Sequence, residues 1–296
     1  MNNNFKMNKF VIYTAVIGNY DEILQPQVID DRFDYVLFSN EIEEKQIGVW
    51  QVRPITYVND IQTKIARYVK THPEELLPEY DISVWMDANI QIASSDFYLR
   101  VCELSDNKTI LSTVKHPKLT CIYQEMLVMV YGRYEKESVV VDWGHFLRKE
   151  NYPRDNGIVE TGVLFRNHSV PAIKDFDEQW WWCIDNYSRR DQLSFNYVLW
   201  KLKLQFEPFF ENGITVRNSR MVNYEEIHSN ETKKWINLGK WEAWLGRYVS
   251  HNRSRSDQIE RLYYWIYGTR FPHFWTFVFG QLFRVKDIIV RRFSKN

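Results

Sequence analysis

Residues 81–96 read DISVWMDANIQIASSD, a β-like segment that runs into the polar pair Asp87 and Asn89. The three residues before Asp87 are all apolar, which is typical of a strand buried on both faces of an α/β sheet. Asp87 is therefore predicted at the carboxyl end of a strand, where sheets of this kind bind their ligands.

Asp87 and Asn89 are candidate ligands of Mn²⁺ or Mg²⁺. They are two residues apart on an extended chain, so their side chains project to the same side. Both offer the hard oxygen atoms that these cations prefer, and such a cation bridges the diphosphate of a nucleotide. The alternative is a turn at the strand end, in which both side chains bond to their own backbone.

Strands and helices alternate along the first two thirds of the chain. Strands are predicted in segments 10–17, 34–40, 49–57, 108–116 and 160–167, with short ones at 205–210 and 213–217. Helices are predicted at 61–71, 121–132, 135–150, 172–188 and 190–203. This alternation is typical of a doubly wound α/β domain, which we place at 1–250, with a helical extension at 251–296.

The charge is balanced overall but unevenly distributed. Residues 251–296 hold nine Lys/Arg and three Asp/Glu, so the first 250 residues hold 29 basic and 35 acidic residues. An acidic body argues against nucleic acid as a partner. Three scattered cysteines show no metal or disulfide spacing, which fits a reducing compartment. The apolar run 10–17 is too short for a signal peptide or a transmembrane helix, so we expect a cytoplasmic protein.

Several common catalytic motifs are absent from the sequence. It contains no Gly-x-Gly-x-x-Gly, Walker loop, His-Glu-x-x-His or Gly-x-Ser-x-Gly pattern. Dinucleotide oxidoreductases, P-loop kinases and serine hydrolases of the usual designs are therefore disfavoured.

Four residues near the first strand and the first helix are candidate nucleotide contacts. Thr14 lies in the predicted first strand, and Tyr20 follows it in a turn, where its ring can stack on a base. Lys64 and Arg67 share one face of the helix at 61–71 and can meet diphosphate oxygens. We predict that Ile61, Ile65 and Tyr68 form the other, apolar face.

Later candidates come from the second half of the chain. Asp191 and Gln192 begin a helix and can face a sugar, although Asp191 can equally be a helix cap. Glu160 opens a predicted strand and is, with Asp191 and Gln192, a candidate catalytic residue. His116 is a candidate nucleotide contact or a plain loop histidine. His228 is a candidate metal ligand, and Lys234 follows it as a candidate phosphate contact.

The tail combines aromatic and basic side chains. Its apolar residues at 279, 283 and 288 lie among six Lys/Arg between 261 and 293. This pattern fits a helix on an anionic membrane surface. A helical subdomain packed on the main domain, or on a partner subunit, fits equally well.

Motifs in five segments resemble a glycosyltransferase-like family formerly catalogued as a domain of unknown function. It occurs in bacterial polysaccharide loci and in plant mucilage-type proteins. The segments, in order, are YTAVIGNYDEI, KIARYVKTHPEELLPEYDISVWMDANIQI, KHPKLTCIYQEM, ETGVLFRNHS and WWWCIDNYSRRDQLSFNYVLWK, within residues 9–230. The same order is distantly similar to glycosyltransferase family 8.

The resemblance implies a GT-A fold with a mixed, mostly parallel central sheet, a nucleotide-sugar donor and Mn²⁺ or Mg²⁺. It implies that Arg67 contacts the donor, that Asp87 and His228 bind the metal, and that Asp191 and Gln192 face the transferred sugar. Residues 160–162 correspond to the Asn-Ser-Gly strand of family 8, and the distant similarity suggests retaining chemistry. Glu-Thr-Gly and Asn89 depart from the family 8 pattern.

The sequence thus predicts a UDP-sugar-dependent glycosyltransferase that acts on a surface polysaccharide or lipid-linked glycan. Two alternatives stay open. One is a metal-dependent hydrolase that uses the same crevice. The other is a non-catalytic nucleotide- or carbohydrate-binding protein, which Asn89 favours because it replaces a second acidic ligand.

Overall fold

The structure is a computed structural model that describes residues 9–18, 23–131 and 134–225, together with 278, 281 and 282. By its contacts the chain divides into two compact units. One contains residues 1–118 and 157–228, and the other contains 119–156 and 229–296. The predicted boundary at residue 250 lies outside the described residues.

The first unit is built on an eight-stranded sheet with helices between its strands. The strand order is β3-β4-β2-β1-β5-β8-β7-β9. The strands are β1 Phe10–Ala15, β2 Phe33–Phe38, β3 Gln46–Ile47, β4 Trp50–Arg53, β5 Ile82–Met86, β7 Leu111–Lys115, β8 Val159–Asn167 and β9 Glu207–Pro208. Its helices are α1 Gln62–Thr71, α2 Pro73–Leu76, α3 Asp96–Asp106, α6 Ala172–Asn186 and α7 Gln192–Leu202.

The sheet is mixed and mostly parallel, as the sequence predicted. β1 is parallel to β2 and β5, and β4 is parallel to β2. β8 lies between β5 and β7 in the sheet and is antiparallel to both. The carboxyl end of β5 is thus central in the sheet.

A small second sheet forms beyond β5. It pairs β6, Ile90–Ile92, with β10, Val222–Tyr224, in antiparallel fashion. The sequence analysis missed β10, which is only three residues long. It also wrongly predicted a strand at 213–217, where Gly213 has a φ of +85° and the chain forms turns. The new pairing places Tyr224 beside Ile90 and thus returns the chain to the end of β5.

The buried face of α1 differs from the prediction. Val69, Lys70 and Thr71 are its buried residues, whereas Ile61 precedes the helix and is 39% exposed. A lysine without exposed surface is rare unless a carboxylate pairs with it. The periodicity of apolar residues cannot register such a pair, which explains the wrong face.

The second unit contains α4, Ile122–Tyr131, and α5, Glu137–Lys149. Both were predicted, and α5 forms in spite of its β-branched run at 139–141. Trp143 is buried and stacks on Phe146 at a centroid distance of 5.2 Å. Among the residues that the structure describes, no helix has the length and apolar character needed to cross a membrane.

Candidate functional site

Asp87 lies immediately after β5, as predicted. Its backbone N–H donates to the carbonyl of Gly162 at 2.8 Å, which fixes the strand end against β8. The Trp85 indole N–H donates to Asp87 Oδ1 at 2.7 Å. The Asp87 side chain is 34% exposed, and its Oδ2 accepts no hydrogen bond from the described residues. One carboxylate oxygen is thus anchored and the other is available.

Asp191 lies on the opposite side of the same charged cluster and is nearly buried. Its Oδ2 accepts from Lys70 Nζ at 2.6 Å and from the Thr161 hydroxyl at 2.8 Å. Its Oδ1 lies 3.2 Å from Nε of Arg67. Asp191 precedes α7 at the N-cap position but makes no side-chain capping bond, so the capping alternative is wrong.

Lys70 joins the two carboxylates and was missed by the sequence analysis. Its ammonium lies 2.6 Å from Asp191 Oδ2 and 3.4 Å from Asp87 Oδ1, between the rings of Trp85 and Trp180 at 5.4 and 5.9 Å. The available sequence signal was its position three residues after Arg67, which places both cations on one side of α1.

Electrostatics hold the Asp191 carboxylate in its ionised form. Burial raises its pKa, but Arg67 and Lys70 outweigh burial and bring the pKa far below its usual range. Burial lowers the pKa of Lys70, and the attraction of Asp191 and Asp87 opposes that change. The 2.6 Å separation is typical of a charge-assisted hydrogen bond, in keeping with an ion pair.

A small cavity adjoins the cluster at the carboxyl ends of β1 and β5. It measures about 10 Å³, and Thr14, Trp50 and Asp87 are among its lining residues. The Thr14 hydroxyl is buried and has no hydrogen-bond partner among the described residues. A cavity of this size has room for about one water molecule, through which the buried hydroxyl could contact a ligand.

Asn89 is oriented by the returning chain after β10. Its amide group donates to the carbonyl of Glu225 at 3.0 Å, and the Glu225 N–H donates back to the carbonyl of Asn89 at 2.9 Å. With its nitrogen fixed in this way, the Asn89 side-chain oxygen is available. His228 follows Glu225 by three residues and lies outside the described residues.

The oxygen atoms of Asp87 and Asn89 are of a kind that suits a divalent cation. A carboxylate and an amide oxygen are ordinary ligands of Mn²⁺. Gly162 allows β8 to pack closely beside Asp87, because an added Cβ would lie 3.0 Å from Cδ1 of Ile90 and 3.4 Å from Oδ2 of Asp87. Within the described residues there is no group of three His, Cys, Asp or Glu side chains placed to hold a metal, so the proposed set depends on His228.

Glu160 lies on β8, two residues before Gly162. Its Oε1 accepts from Arg217 at 3.1 Å, and the Arg217 guanidinium lies 4.6 Å from the centre of the Tyr224 ring. Its Oε2 is buried without a hydrogen-bond partner in the described part of the chain. Burial raises the pKa of Glu160, although Arg217 opposes the shift.

The other predicted residues do not join this cluster. Lys64 donates to the carbonyl and the carboxylate of Asp185, at 2.7 and 2.8 Å, so its face of α1 is turned to α6. His116 follows β7 and accepts from the N–H of Lys118 at 3.1 Å. Gln192 begins α7, half-buried. Three predicted residues lie outside the described part of the chain: Tyr20, His228 and Lys234.

A mixed sheet and a charged crevice at the carboxyl end of its central strand are thus found in a chain whose sequence is glycosyltransferase-like. The chain belongs to the TOD1/MUCI70 glycosyltransferase-like domain family, whose family model matches residues 2–225. This agrees with the resemblance drawn from the motifs.

The similarity of this chain to solved structures is weaker. One match is the apo structure of the bifunctional glycosyltransferase WbbM, with 13% sequence identity and a TM-score of 0.39. The alignment covers 69% of this chain and 39% of that one. No curated protein matches this chain.

Proposed function

We propose that this protein uses a GT-A-type domain to transfer a sugar from a UDP-linked nucleotide-sugar donor to a glycan or lipid-linked acceptor. One observation carries the proposal: Asp87, Arg67 and Lys70 meet at the carboxyl end of the central strand β5. A carboxylate flanked by cations at this position suits a diphosphate leaving group and its counter-ion.

In this proposal the diphosphate binds beside Arg67. The Arg67 side chain is 15% exposed and has one end on Asp191, so its guanidinium is held in place at the crevice. Such a fixed cation stabilises the negative charge that develops as the glycosidic bond breaks. Thr14 lies in the same crevice, and its unpaired hydroxyl is the proposed contact for the nucleotide.

Asp87, Asn89 and His228 are the residues that would hold Mn²⁺ or Mg²⁺. A bound cation would supply charge neutralisation for the departing diphosphate. The available Oδ2 of Asp87 and the oriented amide of Asn89 support this assignment.

Asp191 acts through its neighbours in this proposal. Both of its oxygens are engaged by Arg67, Lys70 and Thr161, and the side chain is 5% exposed. It therefore positions the two cations and adds negative potential near the sugar ring. Gln192, adjacent and half-buried, is the better candidate for direct contact with the sugar. Glu160 is the candidate contact for the acceptor.

The acceptor and the location belong to the same proposal. A cytoplasmic enzyme with an aromatic and basic tail can work at an anionic membrane face, where lipid-linked glycans are extended. The tail at residues 251–296 is the proposed membrane contact, and a packed subdomain or a subunit contact is the alternative.

The test is turnover of a panel of nucleotide sugars by the full chain, with Mn²⁺, for wild type and Asp87→Asn. We expect Asp87→Asn to lower turnover at least about 100-fold, because it removes the charge and keeps the shape. Asp175→Asn is the matched control, since Asp175 lies exposed in the first turn of α6.

Product analysis separates the alternatives. Sugar on an acceptor supports transfer, whereas cleavage of an amide or ester would support a hydrolase. Binding of nucleotide without turnover across the panel would indicate a non-catalytic protein. Equal turnover by wild type and Asp87→Asn would remove Asp87 from the site.

A further inference from the structure

We infer that a second pocket, formed by α1, α2 and α6, binds an aliphatic amine through its ammonium groups. The pocket measures about 370 Å³, which lies in the range typical of sites for small organic molecules. Its lining residues come from the end of α1, from α2 and from the first half of α6, all within the first unit. None of them lines the small cavity of the crevice.

The pocket carries an excess of negative charge. Glu74, Glu75, Asp177 and Glu178 line it, and Lys174 is the one basic side chain among the lining residues that the structure describes, apart from a histidine. Lys174 lies 3.9 Å from Glu178, and both side chains are 65% exposed, so the lysine offsets at most one carboxylate. A concave surface with such an excess attracts a cation.

Asp177 lacks a hydrogen-bond donor on one of its oxygens. Its side chain is 5% exposed, and its Oδ1 accepts from Arg166 at 2.9 Å. Its Oδ2 is buried and has no hydrogen-bond partner among the described residues. Buried carboxylate oxygens normally accept at least one hydrogen bond. An ammonium group in the pocket would supply that bond, directly or through one water molecule.

His72 offers the pocket a further acceptor. Its Nδ1 lies 2.9 Å from the carbonyl oxygen of Tyr68. Since a carbonyl group can only accept, Nδ1 carries the proton and Nε2 is left as an acceptor. Burial lowers the pKa of His72, which keeps the ring neutral at pH 7. The Tyr68 hydroxyl also donates to both oxygens of Glu75, at 3.1 Å each, and so fixes that carboxylate.

An aliphatic amine fits this lining better than a metal ion does. Within the described residues, no three His, Cys, Asp or Glu side chains are placed to hold a metal. Carboxylates that cannot share one ion can each meet a separate ammonium group of a flexible chain. An ammonium group has only donors, which complements carboxylates and a neutral imidazole. A free polyamine and the lysine side chain of a peptide both offer this chemistry.

Titration of the full chain by calorimetry at pH 8 tests the inference, with spermidine and the peptide Gly-Lys-Gly as probes. We expect binding of at least one probe, together with a rise in the apparent melting temperature. The probe that binds more tightly identifies the source of the ammonium group. Displacement of spermidine by an equal concentration of Mg²⁺ would show diffuse attraction between charges and would overturn the inference.

Two variants with opposite effects assign the binding to the pocket. Glu178→Gln removes a carboxylate and should weaken spermidine binding about threefold, as expected for an exposed ion pair. Lys174→Gln removes a competing cation and should strengthen binding about threefold. Glu103→Gln is the matched control, because Glu103 is similarly exposed and pairs with Arg100 on α3. It should leave the affinity unchanged.

Proton release gives a signature that is specific to Asp177. Burial raises the pKa of this carboxyl group to about 7, and Arg166 opposes the shift. A cation beside Oδ2 favours the ionised form, so binding should release a proton near pH 7 and tighten by up to about tenfold from pH 6 to pH 8. The other titratable or charged groups around Asp177 are Tyr13 on β1, His72 after α1, Glu74 and Glu75 on α2, and Lys174 and Glu178 on α6.

Asp177→Asn separates Asp177 from those groups. It should abolish most of the proton release, measured by calorimetry in buffers of different ionisation enthalpy. Absence of binding by both probes, or equal affinity in wild type, Glu178→Gln and Lys174→Gln, would overturn the inference even if Asp177→Asn did not fold. None of these results depends on the proposed transfer of sugar, which is tested by turnover of nucleotide sugars.

Discussion

Two buried ion pairs lie near the last turn of α1. The pKa values of their carboxyl groups are shifted in opposite directions. Lys70 and Asp191 form the front pair, beside the crevice. Arg166 and Asp177 form the rear pair, at 2.9 Å. A hydrogen bond joins the two pairs: Arg166 donates to the backbone carbonyl of Lys70 at 2.8 Å.

The cations and donors around each carboxylate explain the difference. Asp191 lies beside the charges of Arg67 and Lys70 and accepts hydrogen bonds from Lys70 and Thr161, and its pKa lies far below the usual range. Asp177 has only Arg166, and its Oδ2 has no hydrogen-bond partner among the described residues. Burial therefore prevails and raises the pKa of Asp177 to about 7. The front pair therefore keeps a carboxylate ionised beside the crevice, whereas the rear pair buries a carboxyl group that binds a proton more readily.

Arg166→Met should give the largest effect, on stability. Removing one partner of a buried pair leaves a charge uncompensated, which costs about 3–5 kcal/mol of unfolding free energy. It also removes bonds to Tyr13 and to the Lys70 carbonyl. Denaturant unfolding monitored by circular dichroism measures the loss.

Lys174→Met provides the comparison for that measurement. Lys174 and Glu178 form an exposed pair at 3.9 Å, so its loss should cost below about 1 kcal/mol. If Arg166→Met lost no more stability than Lys174→Met, the structural role of the rear pair would be refuted.

The second effect, similar in size to that of Arg166→Met, is a difference between the two pairs in the pH dependence of stability. The folded pKa of Asp177, about 7, lies above the ordinary value of 3.8 for an aspartate. A raised folded pKa means that the folded state binds the proton more tightly, so this stabilisation is complete below about pH 4 and is lost as the pH rises through 7. The shift corresponds to about 4 kcal/mol.

Asp177→Asn isolates this contribution, because asparagine does not titrate and still accepts from Arg166. The difference in unfolding free energy between wild type and Asp177→Asn should change across pH 4–7.5, with wild type losing stability as the pH rises. A difference that stays constant across this range would mean that the Asp177 pKa is not raised.

The sequence predicted the fold through patterns that burial creates. β1, β5 and β8 were found because each contains a run of at least three consecutive apolar residues, and Asp87 was found because it ends such a run. Lys70 was missed because its burial depends on Asp191, which is 121 positions away along the chain. Charge pairing at such a distance leaves no local periodicity.

The short strand β10 was likewise not visible in the local sequence. β10 was missed because a strand of three residues has too few positions to show alternation. Its pairing with β6 nevertheless orients Asn89 through Glu225. The details of the candidate site thus depend on contacts between remote segments, whereas the sheet depends on local composition.

Thr161→Val should give the smallest of the three effects and brings the front pair closer to the rear one. It removes one donor from Asp191 without changing the volume, at a cost of about 1.5–3 kcal/mol for a hydrogen bond to a charged group. The folded pKa of Asp191 is depressed, so its stabilisation is present above the unfolded pKa and is lost as the pH falls. Loss of the donor raises the folded pKa, so Thr161→Val should weaken this acid resistance.

Thr113→Val is the matched control, because the buried Thr113 hydroxyl donates only to neutral carbonyl groups, those of Glu160 and Val163. It should cost about 1 kcal/mol and leave the acid limb of the stability curve unchanged. Acid unfolding followed by tryptophan fluorescence distinguishes the two variants. Identical acid limbs in Thr161→Val and Thr113→Val would show that the number of donors does not set the pKa of Asp191, and the contrast between the front and rear pairs would then need another cause.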